Sequence, residues 1–142
     1  MKYRDNAYGD GCLTVAEEME RKYDLDDRLI DFATRIIDLT EALPATAAGR
    51  HISNQLLRSG TSPAPNYAEA GASESRKDFI HKMGICLKEL RESFVWLRIV
   101  KNKKMVPANI VEPVLSETQE LVCIFKSSIK TARKNGVAQR NT

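Results

Sequence analysis

The stretch from Asn54 to Leu97, NQLLRSGTSPAPNYAEAGASESRKDFIHKMGICLKELRESFVWL, decides how this chain folds. Its second half is an amphipathic helix. Phe79, Met83, Cys86, Leu90, Phe94 and Leu97 recur at intervals of three and four, which lines them along one face of a 3.6-residue repeat. Ile80, Leu87 and Trp96 broaden that face. Ser75 and Asp78 stand at capping-box spacing just ahead of it, so the helix starts after Ser75 and runs to about Val100.

The first half is also helical but interrupted. Thr46 is placed to cap a helix whose buried side is Ile52, Leu56 and Leu57. Pro63 and Pro65 then withhold two backbone donors and crowd the preceding turn. Two solutions are open. The helix breaks at Gly60 and restarts with Ser62 as N-cap and the prolines in the first turn, or a single helix kinks. Ala64, preceding Pro65, resists the α region and makes a restart imperfect. Both predict a bend near residues 60–65, with helix resuming through Asn66-Tyr67-Ala68-Glu69-Ala70.

Upstream, Leu25, Leu29, Phe32, Ile36, Leu39 and Leu43 trace a further stripe, widened by Ile30 and Ile37. Asp24 or Asp26 starts that helix, where the dipole favours negative charge, and Pro44 ends it. Downstream, a basic turn at Lys101-Asn102-Lys103-Lys104 leads to a helix that starts between Pro107 and Pro113. Its stripe is Val114, Leu121, Ile124, Phe125 and Ile129, and Asn135-Gly136 reads as its stop. No strand pattern appears. Four striped helices with short connections predict an all-α, up-down-up-down four-helix bundle. The bundle spans residues 24–135, residues 1–23 form a partly flexible extension, and residues 136–142 form a disordered tail. Within the extension, Thr14 and Glu17 have capping-box spacing, and Val15, Met19 and Tyr23 recur every four residues, so a short helix over 14–22 could pack on the body or on a neighbour.

Composition narrows the function. A chain of 142 residues with 42% hydrophobic and 29% charged residues is an ordinary globular domain. It has neither a long apolar run nor a signal-peptide pattern, which predicts a cytoplasmic protein with no membrane partner. Cys12, Cys86 and Cys123 form no CxxC, and Cys86 and Cys123 sit inside apolar patterns as reduced, buried thiols. His51 and His81 fall on different helices. No HExxH, Glu-x-x-His, Walker, GxGxxG or GxSxG pattern is present, and Ser127-x-x-Lys130 lacks the companions of an SxxK enzyme. The sequence therefore predicts no enzyme, metal or cofactor.

Charge is uneven. Residues 1–42 carry 6 basic and 11 acidic residues, a net of −5, and residues 43–142 carry 16 and 8, a net of +8. Lys101, Lys103, Lys104, Lys126, Lys130, Arg133 and Lys134 are candidate contacts to RNA or DNA phosphates. With aromatic residues at 6%, base stacking gains little support. The alternative is a protein–protein scaffold in which the basic half meets the acidic half of a neighbour or of a partner protein. A second polar set, Arg58, Asn66, Glu69, Lys82, Glu89 and Glu92, lies on the second and third helices. It reads as interhelical or intersubunit hydrogen bonding that fixes register, with a ligand site as the alternative.

Four segments together resemble the 23S rRNA-intervening-sequence protein family, small bacterial four-helix-bundle proteins. They are Asn54–Ser62, Asn66–Ala70, Glu74–Lys82 and Lys88–Ser93, with Trp96-Leu97 behind, and the resemblance spans roughly residues 27–133. It implies a four-helix bundle, often assembled as a ring-like homo-pentamer. The related accessory protein of diversity-generating retroelements binds nucleic acid and a reverse transcriptase. By analogy, this implies nucleic-acid binding and a protein partner such as a reverse transcriptase. The chain departs from the family at Pro63, where an aliphatic residue is usual, and at Pro65, where a small one is.

Overall fold

The structure, a computed structural model, describes residue 14 and residues 25–140, with side chains as far as residue 136. Expectations for residues 1–13 and for a helix over 14–22 fall outside the described residues, apart from Thr14 itself. Among the described residues five helical segments follow in order: α1 (Leu25–Ala42), α2 (Ala47–Thr61), α3 (Pro63–Gly71), α4 (Arg76–Asn102) and α5 (Ala108–Arg140). Segments α2 and α3 form one bent limb, so the chain is a four-helix bundle, and no strand occurs among the described residues.

Local chemistry sets the helix ends. The Thr46 hydroxyl accepts from Gly49 N and the Ser75 hydroxyl accepts from Asp78 N, each satisfying a donor that a helix start leaves orphaned. After α4, Lys104 takes a left-handed conformation with φ 51°, and Met105 N donates to Val100 O to close the turn. Pro107 O caps α5 by accepting from Ile110 N and Val111 N. Pro113 lies inside α5, where its missing N–H leaves the Asn109 carbonyl, on an exposed residue, to solvent.

The bend at Ser62 resolves the two alternatives in favour of a kinked helix. Ser62 keeps right-handed helical angles (φ −69°, ψ −37°), its N–H donates to Arg58 O, and its hydroxyl makes no N-cap bond. The hydroxyl instead accepts from Asn66 Nδ2 at 2.9 Å. The prolines remove the helical bonds to Ser59 O and Thr61 O, and the limb turns there without leaving the α region.

Helix α1 packs on α2, α3 and α5, and α4 packs on α5, α3 and α2, so α1 and α4 occupy opposite corners. The core joins Leu29, Phe32 and Ile36 of α1 to Leu56 of α2, to Met83, Leu90 and Leu97 of α4, and to Leu121 and Phe125 of α5. Two expectations are corrected. Ile30 and Ile37 do not widen the buried stripe, because they are 58% and 40% exposed on the outer side of α1. Nor does Asn135-Gly136 stop α5, which runs on to Arg140. Gly136 takes no positive φ, and its Cα side faces Arg76 Cδ, so a tertiary contact replaces the glycine stop.

Gly60 permits the closest approach of α1 to the bent limb, since a Cβ there would lie 2.7 Å from both γ carbons of Ile36. Gly84, in mid-α4, has nothing within 4 Å of the same position. Gly60→Ala should therefore destabilise the fold by about 1–3 kcal/mol through overpacking. Gly84→Ala should stabilise it by about 0.5–1 kcal/mol through helix propensity. Urea denaturation of the two variants checks the opposite signs.

Candidate functional site

The polar motif becomes a seam along which α4 is tied to both halves of the bent limb. Arg58, on α2, places Nη1 3.2 Å from Glu89 Oε2 and Nη2 2.5 Å from Glu92 Oε1 on α4. Gln55 Oε1 accepts from the same Nη2 at 3.3 Å. Beyond the bend, Lys82 Nζ of α4 lies 2.7 Å from Glu69 Oε2 of α3. Asn66 does not join this set; its amide turns inward to the Ser62 carbonyl and hydroxyl, bracing the bend.

The two acids facing Arg58 are shifted in opposite directions. Burial pushes the Glu89 carboxyl up, against the pull of Arg58 and with help from the neighbouring Glu92 charge. The hydrogen bond from Arg58 pulls Glu92 down, and burial opposes it only in part. Their pH linkages have opposite signs. The Glu92 pairing stabilises the fold above the ordinary carboxylate range and is lost as pH falls through its lowered value. Glu89 favours the fold at low pH, and that contribution is lost as pH rises through its raised value. Lys82 is raised by its bond to Glu69.

Beneath the ion pairs lies a buried contact that the motif analysis did not single out. The Ser59 and Ser93 hydroxyls, both fully buried, meet at 2.8 Å, and Ser93 Oγ is also 3.0 Å from Glu89 O. Each hydroxyl has one proton, so both contacts are met when Ser93 donates to the carbonyl and accepts from Ser59. Cys86 Sγ donates to Pro63 O at 3.5 Å, and burial pushes its thiol up to about 12, which keeps it protonated and unreactive at neutral pH. Trp96 packs edge-on to His51 with ring centroids 5.7 Å apart. Its buried indole N–H meets no acceptor in hydrogen-bond geometry among the described residues, although it lies close enough to Glu92 to help lower that acid. A second polar clamp, also missed, joins Arg28 of α1 to Glu117 and, at 2.8 Å, to Glu120 of α5. Burial works against the Arg28 charge, and the two acids outweigh it.

The candidate phosphate contacts do not form one patch. Lys101, Lys103 and Lys104 lie at the α4–α5 turn, and Lys101 faces Glu112 at 3.5 Å. Lys126, Lys130, Arg133 and Lys134 lie near the other end of α5, where offsets of 4, 7 and 8 residues put them on one side of the helix. Lys130 is 22 residues beyond Ala108, so the two groups stand about 30 Å apart along α5. Lys130, Arg133 and Lys134 are exposed, and Lys126 is half-buried. No group of three His, Cys, Asp or Glu side chains among the described residues could hold a metal ion, and no helix there is long and apolar enough to cross a membrane.

The fold is that of a small helical-bundle protein, here with one bent limb tied to α4 by an Arg–Glu seam. The chain belongs to the family described as 23S rRNA-intervening sequence protein, which it matches over residues 21–127. Among solved structures it is similar to a protein of unknown function of the S23 ribosomal protein family from Bacteroides thetaiotaomicron VPI-5482. The two are 34% identical, the alignment covers 74% of this chain and 97% of the other, and the TM-score is 0.69. No curated protein matches the chain.

The serine pair gives a direct test of how the seam holds. Ser93→Ala, which strands the buried Ser59 hydroxyl, should cost about 1–3 kcal/mol. Adding Ser59→Ala should cost less than the sum of the two single changes, and a double-mutant cycle by urea denaturation measures the coupling.

Proposed function

We propose that this protein is an oligomeric, non-enzymatic accessory protein of the cytoplasm that binds nucleic acid, RNA in the first instance, through the C-terminal end of α5. The observation that carries this reading is the row of exposed cations Lys130, Arg133 and Lys134 on one helix. They meet phosphates, with Lys126 beside them. The cations at the α4–α5 turn make a separate and weaker contribution, because Lys101 shares its charge with Glu112. The polar seam is structural: its members are engaged with one another, and the Cys86 thiol stays protonated.

Assembly is supported by two outward faces at opposite corners of the bundle. On α1, Ile30 and Ile37 stand among the exposed Asp31, Asp38 and Glu41. On α4, Val95 and Ile99, 41% and 39% exposed, stand beside Lys88 and Arg91. An acidic apolar face opposite a basic apolar one suits head-to-tail contact between copies, which closes into a ring such as a pentamer when the rotation permits. The same faces favour the second reading, a protein–protein scaffold without nucleic acid whose partner is another copy or a separate protein such as a reverse transcriptase.

Anisotropy of a labelled structured RNA across a salt series tests the first reading. Affinity should fall steeply with salt, and replacing Lys126, Lys130, Arg133 and Lys134 with Ala should reduce the slope by roughly 0.7–0.9 for each phosphate no longer neutralised. An unchanged slope removes the patch from the interface, and no binding at low salt leaves the scaffold reading. Assembly is tested separately. Ile37→Glu and Ile99→Glu should each lower the mass seen by light scattering while helicity by circular dichroism is kept.

A further inference from the structure

Arg98 is a half-buried cation without an anion. Arg28, Arg35 and Arg58 face carboxylates, and Arg50 donates to the Ala45 carbonyl. The Arg98 guanidinium meets no acceptor among the described residues. It rests instead on the ring of Phe94, one turn earlier on α4, with Cζ 5.7 Å from the ring centroid. A guanidinium stacked in this way keeps its planar fork of N–H donors in one orientation, ready for a bidentate anion.

Beside it is a cleft of about 400 Å³ between the last turns of α4 and the first turns of α5, lined also by Lys101, Asn102, Glu112 and Ser116. Glu112 is drawn to Lys101 at 3.5 Å, which leaves Arg98 as the uncompensated charge of the cleft. Partial burial strengthens the pull of that charge on an anion relative to one on the open surface. The Asn102 amide and the Ser116 hydroxyl add neutral donors. The position along α5 selects the anion. Offsets of 14 and 18 residues bring the exposed Lys130 and Lys134 back to the side of α5 that carries Ser116, about 21 and 27 Å further on. A nucleic acid repeats its phosphates at about 3.4 Å per strand, so a duplex covers the shorter distance in about six base pairs.

We propose that Arg98, held on the Phe94 ring in the cleft between the end of α4 and the start of α5, binds a backbone phosphate of the same nucleic acid that Lys130 and Lys134 engage. The inference rests on the nucleic-acid reading and adds to it a second anchor, so that one ligand is gripped at two places along α5. Once either end is bound, the other meets its phosphate at high effective concentration, and two weak contacts give firm binding. At this end the anchor is Arg98 rather than the turn lysines, because Lys101 is shared with Glu112 and only Arg98 is fixed by a stack.

Anisotropy of a labelled RNA hairpin with a stem of about ten base pairs, titrated with the full chain across a salt series, tests the site. Arg98→Gln should weaken binding about three- to tenfold at low salt and lower the salt slope by roughly 0.7–0.9, the loss of one neutralised phosphate. Arg35→Gln removes the same charge from α1, at the corner opposite α4, and should leave the slope unchanged. Arg98→Lys keeps the charge but not the planar fork, so it should hold the slope while binding more weakly than the native chain. Helicity by circular dichroism checks that each variant folds, and the milder Lys change decides the matter if the Gln variant does not. If Arg98→Gln behaves like Arg35→Gln, or Arg98→Lys binds as tightly as the native chain, the site is overturned while RNA binding through the C-terminal end of α5 stands. A native chain that binds no RNA at low salt defeats the nucleic-acid reading and this inference with it.

Discussion

The rest of the bundle depends on the loss of two helical hydrogen bonds at Pro63 and Pro65. A straight limb of the length from Ala47 to Gly71 would meet α4 along only one ridge. By bending at Ser62 while staying in the α region, the limb keeps α4 alongside on both sides of the turn. Arg58, Ser59 and Pro63 each reach α4 in succession, and Glu69 reaches it after the bend. The bend leaves the Ser59 and Thr61 carbonyls without their helical donors, and Asn66 braces it by bonding the Ser62 carbonyl and hydroxyl through its side chain. Gly60 completes the arrangement by letting Ile36 of α1 approach from the other side.

The ion pairs of the seam do less for stability than their number suggests. Arg58 is more than half exposed, and an exposed pair is screened and pays for immobilising long side chains. The free energy lies underneath, in the buried serine pair and the apolar core, while the Arg–Glu contacts favour one rotation of α2 against α4 over its neighbours. Geometry supports this division: Glu89 and Glu92 are one turn apart on α4, and a single guanidinium spans both only in one register.

Much of this was legible in the sequence, and the part that was not has a common cause. The stripes Leu25–Leu39 and Met83–Leu97, the caps Thr46 and Ser75, and the bend follow from contacts within four residues along the chain, which spacing encodes. The Ser59–Ser93 contact joins residues 34 apart in sequence, and no local pattern marks either serine as buried. Ile30 and Ile37 fit the apolar period as well as their neighbours do, but among the described residues the helices packed on α1 leave both exposed. Asn135-Gly136 carries the composition of a helix stop, yet the Arg76 side chain lies against the glycine and the helix continues. The seven candidate cations read as one group because they follow one another in sequence. The length of α5 from Ala108 onward separates them, and in the sequence Pro113 left the start of that helix open.

The charge asymmetry takes on a different meaning once the helices are in place. A net of −5 in the first 42 residues and +8 thereafter suggested two halves of a molecule. In the fold the acidic residues of α1 and the basic residues of α4 face away from each other at opposite corners, so they cannot neutralise one another within one chain. The internal clamp runs the other way, with basic Arg28 of α1 set against acidic Glu117 and Glu120 of α5. The exposed acidic side chains of α1 and basic side chains of α4 are surface charge at opposite corners, and the head-to-tail contact proposed above is the arrangement that would bring them together.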